Sequence, residues 1–320
     1  MELNKIYNMD VFAGLKMLSD NSINCCVTSP PYWSLRDYGV PGQIGLEPTL
    51  EEYLEKMTEI FREVRRVLRK DGTLWLNMGD TYCSSAPGSM GDNMHIKGAK
   101  EATKRARKLM RPQTPDGLKP KDLVGMPWRV ALALQADGWY LRSDIIWHKP
   151  NPMPESVTDR CTKSHEYIFL LSKSAQHYYD NEAIREPYQS KKEKPRNKAA
   201  EGYNNSYVGG RWSEGVRDYY SAGKRNKRSV WTVTTKQFKE AHFATFPPDL
   251  IKSCILAGCP KDGIVLDPFM GSGTTGMVAA MYQRNFIGFE LNPEYCKMAE
   301  KRINKYILDN NLQDKYSLIT

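Results

Sequence analysis

Four residues near the start of the chain, Ser29-Pro30-Pro31-Tyr32, constrain the fold more than any other segment. They follow a short apolar run, residues 23–27, that is typical of a buried strand. Two consecutive prolines stop the hydrogen-bond ladder of a sheet, and their rings fix the backbone. The segment therefore predicts a strand that ends in a rigid cup, where a carbonyl and a hydroxyl point outward beside an aromatic ring. Such a cup suits a flat base whose exocyclic amine must be held and made nucleophilic.

A second strand end, far downstream, carries a glycine-rich turn. The apolar residues 264–266 lead into Asp267, and the turn that follows contains Gly271 and Gly273. Glycines at such a turn let the main chain approach a ligand closely. Twenty-three residues after Asp267, the next predicted strand ends in Glu290. Because an acidic residue about 20 positions on commonly binds ribose hydroxyls, the spacing predicts a nucleoside site.

Together the two segments resemble the motifs of DNA amino-methyltransferases that use S-adenosylmethionine (AdoMet). Residues 28–33 look like the catalytic motif, and residues 267–274 look like the cofactor motif. The catalytic motif comes first, an order that resembles the β group, in which the recognition region lies between the two motifs. The resemblance implies a Rossmann-like α/β sheet of seven mostly parallel strands, circularly permuted, with an inserted target-recognition region.

The resemblance also implies catalytic roles. The Pro30 carbonyl and the Ser29 side chain would accept the hydrogens of the target amine, which steers its lone pair toward the methyl group. Pro31 would stiffen the loop, and Tyr32 would stack on the base. A base inside a duplex cannot reach this cup, so it must be flipped out. The neighbouring Trp33 could equally be a core aromatic residue.

On the cofactor side, the resemblance places Glu290 on the ribose and Asp10 near the adenine ring. Asp10 could instead cap the first helix. The segment 242–248 resembles one that closes over the methionine end of the cofactor. The residues expected to bind the cofactor are Asp10, Phe246, Asp267, Pro268, Phe269, Gly271, Ser272, Gly273, Thr274 and Glu290.

The net charge of +9 is concentrated in two stretches. Residues 97–121 hold nine Lys/Arg against two acids, and residues 186–240 hold thirteen against six. A mildly acidic body with two basic stretches is typical of a protein with a polyanionic partner, here double-stranded DNA. Either stretch could also be an ordinary solvated loop, as could Lys149. The residues expected to contact DNA are Lys149, Arg211, Arg217, Lys224, Arg225, Lys227 and Arg228.

The target base follows from Ser29, since most adenine enzymes of the resembling group have Asp at this position. We therefore expect methylation of the N4 amine of cytosine, with the N6 amine of adenine as the alternative. Carbon-5 chemistry needs a cysteine nucleophile, usually within Pro-Cys, and the chain has no such dipeptide. An RNA substrate and a non-catalytic DNA-binding protein are minor alternatives. Whether a restriction endonuclease acts on the same site as a companion stays open, as does the oligomeric state.

The predicted organisation has three parts. Residues 1–185 form the catalytic half, with a flexible basic insert at 83–121, and residues 186–240 form the recognition insertion. Residues 241–320 form the AdoMet-binding half of the same domain. The clearest helix begins at Thr49, which makes a capping box with Glu52, and is expected to end at Asp71-Gly72. Strands that alternate with helices predict a parallel sheet.

Several classes of protein are not expected from the composition. No run approaches 18 apolar residues, so we expect no membrane span. The seven cysteines include no CxxC pair and no metal-ligand spacing, which indicates a reducing, cytoplasmic compartment and no metal site.

Overall fold

The computed structural model describes residues 1–83, 114–187, 224–235 and 246–319. It contains two compact units, one made of Met1–Tyr179 and Ser229–Thr320 and the other of Asp180–Arg228. Most of both predicted basic stretches, including Arg211 and Arg217, lies outside the described residues. The same holds for most of the segment expected to close over the methionine end.

The first unit is built on one sheet. The strands of the described residues are β1 (Lys5–Asn8), β2 (Ile23–Thr28), β3 (Leu68–Met78), β4 (Tyr140–His148), β5 (His165–Ser172), β6 (Glu186–Pro187), β7 (Lys224–Arg225), β8 (Val230–Thr232), β9 (Ile264–Asp267) and β10 (Asn285–Glu290). Eight of them form the main sheet in the order β1-β10-β9-β2-β3-β5-β4-β8, and β6 pairs with β7 in the second unit. Every strand of the main sheet runs parallel to its neighbours except β5, which is antiparallel to β3 and β4.

The order of the strands brings the two motif loops together. Strand β2, which precedes the Ser-Pro-Pro-Tyr loop, pairs directly with β9, which precedes the glycine-rich turn, through Cys25↔Val265 and Cys26↔Leu266. Carboxyl ends of parallel strands meet at one edge of a sheet, and ligands bind in the crevice beyond it. The mostly parallel methyltransferase-type sheet expected from the sequence is confirmed.

The sheet has one strand more than the seven expected. The additional strand, β8, pairs in parallel with β4 through Ile146↔Val230 and Trp147↔Trp231. It lies inside the range 186–240 that the sequence assigned to the recognition insertion. Trp231 is buried, and its ring centroid lies 6.4 Å from that of Trp75. A three-residue strand is too short for its alternation to be detected, so only its packing on the sheet identifies it.

Helices cover both faces of the sheet. They are α1 (Val11–Lys16), α2 (Leu50–Val67), α3 (Met126–Ala136), α4 (Pro248–Gly258), α5 (Thr274–Met281) and α6 (Pro293–Asp309). Adjacent residues of β2 show the two faces, because neighbouring side chains of a strand point in opposite directions. Cys26 belongs to the core formed with α1, α2 and α3, whereas Cys25 faces Gly258 of α4. The result is a three-layer α/β/α domain.

Helix α2 forms as predicted at its start and ends earlier than predicted. The Thr49 hydroxyl accepts the Glu52 N–H at 3.1 Å, and the buried face includes Tyr53 and Phe61. Leu68 already has extended backbone and pairs with Ile23 in the sheet. The expected stop at Asp71-Gly72 was therefore wrong, because pairing with β2 draws the chain into β3 four residues earlier.

The two ends of the predicted insert at 83–121 lie next to each other in the domain. Cys83 N–H donates to the Asp122 carbonyl at 2.8 Å, and Lys121 N–H donates to the Cys83 carbonyl at 3.1 Å. Tyr82 and Leu123 form an antiparallel bridge next to them. This bridge places Leu123 before α3, which begins at Met126.

None of the helices among the described residues is long and apolar enough to cross a membrane. All seven cysteines lie in the described ranges, and none is paired in a disulfide.

The close approach of α4 to the sheet generates a stability prediction. A Cβ added at Gly258 would lie 2.8 Å from Thr73 Oγ1 and 2.9 Å from Cys25 Sγ, and closer still to the Trp75 indole nitrogen. We expect Gly258→Ala to lower the free energy of unfolding by about 1–3 kcal/mol, because the packed core must shift. Chemical denaturation measures this. Lys252→Ala, exposed on the same helix, should cost less than about 0.5 kcal/mol, and equal effects of the two variants would contradict the packing argument.

Candidate active site

One cavity of about 920 Å³ lies at the edge of the sheet where the parallel strands end. It is bordered by the loops after β1, β2, β4, β9 and β10, and by the start of the antiparallel strand β5. It brings together thirteen residues singled out in the sequence, namely Asp10, Ser29, Pro30, Pro31, Tyr32, Lys149, Phe246, Pro268, Phe269, Gly271, Ser272, Thr274 and Glu290. All four predicted catalytic residues and eight of the ten predicted cofactor residues thus line one cavity.

Asp267 does not line this cavity but lies beneath it. Its side chain is 1% exposed, and both oxygens accept hydrogen bonds. Oδ1 accepts the Thr28 hydroxyl at 2.6 Å and the Phe269 N–H at 3.0 Å, and Oδ2 accepts the Thr275 hydroxyl at 2.6 Å. Burial raises the pKa of Asp267 to about 6, against the lowering effect of the two threonine hydroxyls. The residue expected to bind the cofactor therefore connects the catalytic strand, the turn and helix α5.

The glycines of the turn have different roles. Gly271 has φ +52°, and a Cβ there would meet only the Phe269 carbonyl oxygen, 3.9 Å away, so its cavity side is open. Gly273, with φ +77°, is in close contact with α6, since an added Cβ would lie 2.8 Å from Ala299 Cβ. The second glycine lets two helices pack and does not face the cavity.

Helix α6 also secures the start of α5. The Arg302 guanidinium donates through Nη1 to the Ser272 carbonyl and hydroxyl, both at 3.1 Å, and to the Thr274 hydroxyl at 2.8 Å. Ser272 and Thr274 line the cavity, but these bonds engage their hydroxyls from behind. The turn is held in one conformation by side chains on both sides of it.

Two carboxylates face the cavity on the cofactor side. Glu290 accepts the Gly271 N–H and the Asn292 N–H, each at 2.8 Å, one on each oxygen. Burial raises its pKa, while the Asn292 and Gly271 N–H groups oppose this shift. Asp10 caps α1 by accepting the Phe12 and Ala13 N–H groups, and it also lines the cavity. Capping the helix and lining the cavity are therefore compatible roles for Asp10.

The catalytic loop is held by the core. The Tyr53 hydroxyl, on the fully buried face of α2, donates to the Pro31 carbonyl at 2.8 Å. Trp33 is 3% exposed and donates through its indole N–H to the Glu47 carbonyl, so it is a core residue. No donor to the Pro30 carbonyl is found among the described residues, and Pro30 lines the cavity. That carbonyl is the acceptor which the loop leaves available.

Glu166, which the sequence reasoning missed, is at the centre of the catalytic side. Its Oε2 accepts the Tyr32 hydroxyl at 3.1 Å and the Asn77 amide at 3.2 Å, and its Oε1 forms an ion pair with Lys149. The Ser29 hydroxyl donates to the Tyr32 hydroxyl at 3.3 Å. The available signal was an acidic residue at the start of the apolar strand β5, but its importance depends on β5 being antiparallel. Only then does the start of β5 lie beside the ends of the other strands.

The Lys149 side chain is held more firmly than either interpretation of the sequence, a DNA contact or a solvated loop residue, predicted. Its ammonium lies 4.3 Å from the centroid of the buried Trp147 ring and pairs with Glu166. Only 20% of its side chain is exposed, and 17% of that of Glu166. A desolvated pair of this kind places a fixed cation in the cavity, so Lys149 is not a freely solvated loop residue.

The other expected DNA contacts that are described lie in the second unit. Arg225 and Arg228 each donate through Nε to Oε1 of Glu186, at 3.0 and 2.7 Å. Lys224 belongs to β7, and Lys227 lies between the two arginines. Two of the four cations, Arg225 and Arg228, thus converge on the Glu186 carboxylate, beside the two-residue antiparallel pairing of β6 with β7.

The cofactor side of the cavity has the chemistry that AdoMet requires. Glu290 offers the remaining lone pairs of its carboxylate to a ribose diol, and Met9, Phe269 and Leu291 supply apolar surface for a flat ring. The open side of Gly271 lets a ligand approach the main chain. The residues present therefore fit the nucleoside. No group of three metal-binding side chains occurs in the part of the chain that the structure describes.

Comparisons with known proteins agree with this geometry. A family model described as DNA methylase matches residues 23–301. The chain is 48% identical over 306 residues to the Type II methyltransferase M.Cfr9I of Citrobacter freundii, covering 95% of this chain and 89% of that protein. It is 46% identical over 299 residues to the Type II methyltransferase M.SmaI of Serratia marcescens, covering 93% and 90%.

Solved structures share the fold at lower identity. The PvuII DNA methyltransferase (cytosine-N4-specific) superposes with a TM-score of 0.59 at 18% identity, over 94% of this chain and 90% of that chain. TTHA0409 of Thermus thermophilus, complexed with S-adenosyl-L-methionine, superposes with a TM-score of 0.56 at 22% identity, over 95% of both chains.

The burial of Asp267 predicts a pH dependence of stability. A folded-state pKa of about 6, above the ordinary 3.8, gives stability that is present below pH 3.8 and lost as the pH rises through 6. The free energy of unfolding of the wild type, relative to Asp267→Asn, should therefore be larger at pH 5 than at pH 7 by about 1 kcal/mol.

Denaturant titrations at the two pH values measure this difference. Asp314→Asn, at an exposed position, is the matched control for the loss of a carboxylate. A difference of the opposite sign for Asp267→Asn would mean that its hydrogen bonds outweigh its burial.

Proposed function

The chain belongs to the N6/N4 family of DNA methylases, and we propose that it methylates the N4 amine of a cytosine at a specific site in duplex DNA. The observation that carries this proposal is the shared cavity: the Ser29–Tyr32 cup and the Glu290 side of the cofactor site line the same space. A transfer reaction requires this arrangement, because donor and acceptor must be held together. The methyl donor of the family is AdoMet.

The first task of the protein is to orient the amine. The lone pair of an exocyclic amine is delocalised into its ring, so the amine is a weak nucleophile. The Pro30 carbonyl and the Ser29 hydroxyl offer two acceptors for its two hydrogens. Accepting both favours a pyramidal nitrogen, whose lone pair is less delocalised into the ring and is directed toward the methyl group. Because the Tyr53 hydroxyl and two proline rings hold the loop, the acceptors are already in place, and orientation of this kind can contribute about 7–11 kcal/mol.

AdoMet, when bound, supplies a methyl group already activated by its sulfonium, so no covalent enzyme intermediate is required. The residues of the chain must bind the nucleoside and orient the amine. Once methylated, the nitrogen carries a positive charge and loses one proton to water, so no side-chain base is required. Glu290 and the main chain of the turn bind on one side, and the Tyr32 ring offers a stacking surface on the other. Gly79 lets that ring lie close to the end of β3, since an added Cβ would be 2.9 Å from it.

The choice of cytosine is supported by Ser29. By the family resemblance, most adenine enzymes of this group have Asp where this chain has Ser. Adenine N6 is the second candidate, and the same cup would serve it by the same orientation of the amine. In either case the target base must leave the duplex to reach the cavity.

The proposed biological setting is a Type II restriction–modification system, because the full-length relatives bear that designation. A companion endonuclease that cuts the same site, double-stranded DNA as the substrate and a cytoplasmic location are parts of this proposal. Residues 186–240 are the proposed recognition region, and Lys224, Arg225, Lys227 and Arg228 are the proposed phosphate contacts among its described residues. Cations of this kind position a duplex, and base-edge contacts specify its sequence.

The identity of the product tests the proposal directly. Unmethylated DNA incubated with the protein and AdoMet, then digested to nucleosides and analysed by mass spectrometry, should contain N4-methylcytosine. Ser29→Ala should lower the rate by about 100-fold while AdoMet binding is kept, because one acceptor of the amine is lost. N6-methyladenine would replace the proposed base and keep the mechanism, and no methylated base would contradict the enzymatic function.

The cofactor side is tested by Glu290→Ala. The variant loses the carboxylate that holds Gly271 and faces the nucleoside. We expect the AdoMet dissociation constant measured by calorimetry to rise by about tenfold or more, the cost of a hydrogen bond to a charged group. Glu294→Ala, an exposed carboxylate that pairs with Lys297 in the first turn of α6, is the control and should bind normally. Unchanged affinity in Glu290→Ala would remove Glu290 from the cofactor site.

A further inference from the structure

Ser29, Tyr32 and Glu166 form a chain of hydrogen bonds in the catalytic half. Glu166, at its end, decides which group donates and which accepts in each bond. Ser29 Oγ lies 3.3 Å from Tyr32 Oη, and Tyr32 Oη lies 3.1 Å from Glu166 Oε2. A hydroxyl both donates and accepts, so the Ser29 and Tyr32 bonds alone could run either way. A carboxylate only accepts, so the Glu166 end fixes the direction of the whole chain.

The other partners of Glu166 leave it no alternative role. Lys149 pairs with Oε1, and an ammonium has no acceptor. Asn77 presents its amide N–H₂ to Oε2, and the same nitrogen donates to the Tyr167 carbonyl at 3.0 Å, so the orientation of this amide is fixed. Three donors therefore converge on the two oxygens of Glu166, and the Tyr32 hydroxyl is one of them.

The hydroxyl protons of Tyr32 and Ser29 have one arrangement that fits this direction. Burial and the negative charge of Glu166 raise the pKa of Tyr32 well above its ordinary value, so the phenol stays protonated. Its one proton is committed to Glu166, so the Tyr32 oxygen accepts from Ser29. The proton of Ser29 is then turned toward Tyr32. Its lone pairs are left for another donor.

The direction matters for an amine that must act as a nucleophile. A serine hydroxyl that donated its proton to the amine nitrogen would occupy the lone pair that has to attack. A serine hydroxyl that accepts an amine hydrogen leaves this lone pair available. We propose that Glu166 is a positioning residue which, through Tyr32, holds the Ser29 hydroxyl as an acceptor for the target amine. The inference rests on the proposed amine methylation and extends it to residues outside the Ser29–Tyr32 loop.

The first test reverses the chain with one substitution. In Glu166→Gln the amide oxygen must face the Lys149 ammonium, so the amide N–H₂ faces both Asn77 and Tyr32. Tyr32 must then accept, and its own proton turns toward Ser29. We expect kcat, measured at saturating DNA and AdoMet, to fall about 100-fold. The AdoMet dissociation constant should stay within about twofold, which shows that the variant is folded.

The second test restores the direction without restoring the charge. In the double variant Lys149→Met/Glu166→Gln, the amide oxygen is released from the lysine and can face the donors Asn77 and Tyr32. We expect kcat to recover at least about tenfold from the Glu166→Gln value. Lys149→Met alone should change kcat less than Glu166→Gln does, because the carboxylate still sets the direction. Any loss of DNA affinity in the lysine variants appears in KM.

A third variant checks that the effect passes through Tyr32. In a Tyr32→Phe background the chain is already cut, so adding Glu166→Gln should lower kcat by less than about threefold. Glu63→Gln is the matched control for the carboxylate-to-amide change, since Glu63 pairs with Arg66 on α2 and does not line the cavity. This control should keep wild-type kcat.

The outcomes separate this inference from the proposed function. An unchanged kcat in Glu166→Gln, a double variant that does not recover, or additive losses in the Tyr32→Phe background would each overturn the role of Glu166. These results are ratios between variants. A wild-type protein that makes N6-methyladenine would overturn the choice of base alone and leave the same ratios expected, because both bases present an exocyclic amine.

Discussion

The buried carboxylate of Asp267 is the interaction on which the rest of the site depends. It accepts the hydroxyls of Thr28 at the end of β2 and of Thr275 in α5, and it fixes the first peptide of the glycine-rich turn. Two loops that are far apart in the sequence are thereby held against each other beneath the cavity. A buried carboxylate is tolerated only when its oxygens are satisfied, as they are here. Its position also explains why it does not line the cavity.

The cavity above Asp267 is shaped in two ways, by loop backbone that side chains hold in place and by side chains that converge on one carboxylate. Tyr53, Arg302 and Glu290 each hold loop backbone, so the acceptors and the nucleoside surface are formed before any ligand arrives. On the catalytic side, Glu166 gathers donors from three strands or strand ends. Preorganised groups of this kind lower a barrier because no reorganisation is needed during the reaction. The shape of the cavity therefore depends on these supporting contacts as well as on the motif residues.

Most of the positive charge lies in other parts of the sequence than the residues that line the cavity. The cavity lining comes from the first unit and carries the carboxylates Asp10, Glu166 and Glu290. The cations expected to meet the DNA lie in residues 97–121 and 186–240, apart from Lys149. Under the proposed division of roles, a body for the chemistry and segments for the recognition can vary independently, as loops on a fixed scaffold generally do. The proposed recognition region does not end where the sheet resumes. Strand β8 lies within residues 186–240 and yet pairs with the main sheet at Val230–Thr232.

The sequence by itself determined the two motif loops, the parallel α/β sheet and the charge distribution, because proline, glycine and apolar periodicity act locally. It identified thirteen residues that line one cavity. Only the tertiary structure decided that Asp267 and Gly273 support the site from beneath, since the depth of a side chain depends on which strands and helices cover it. The same holds for Glu166. An acid at the start of a strand means nothing until the antiparallel direction of β5 places it among the carboxyl ends of its neighbours, and strand direction is set by long-range pairing.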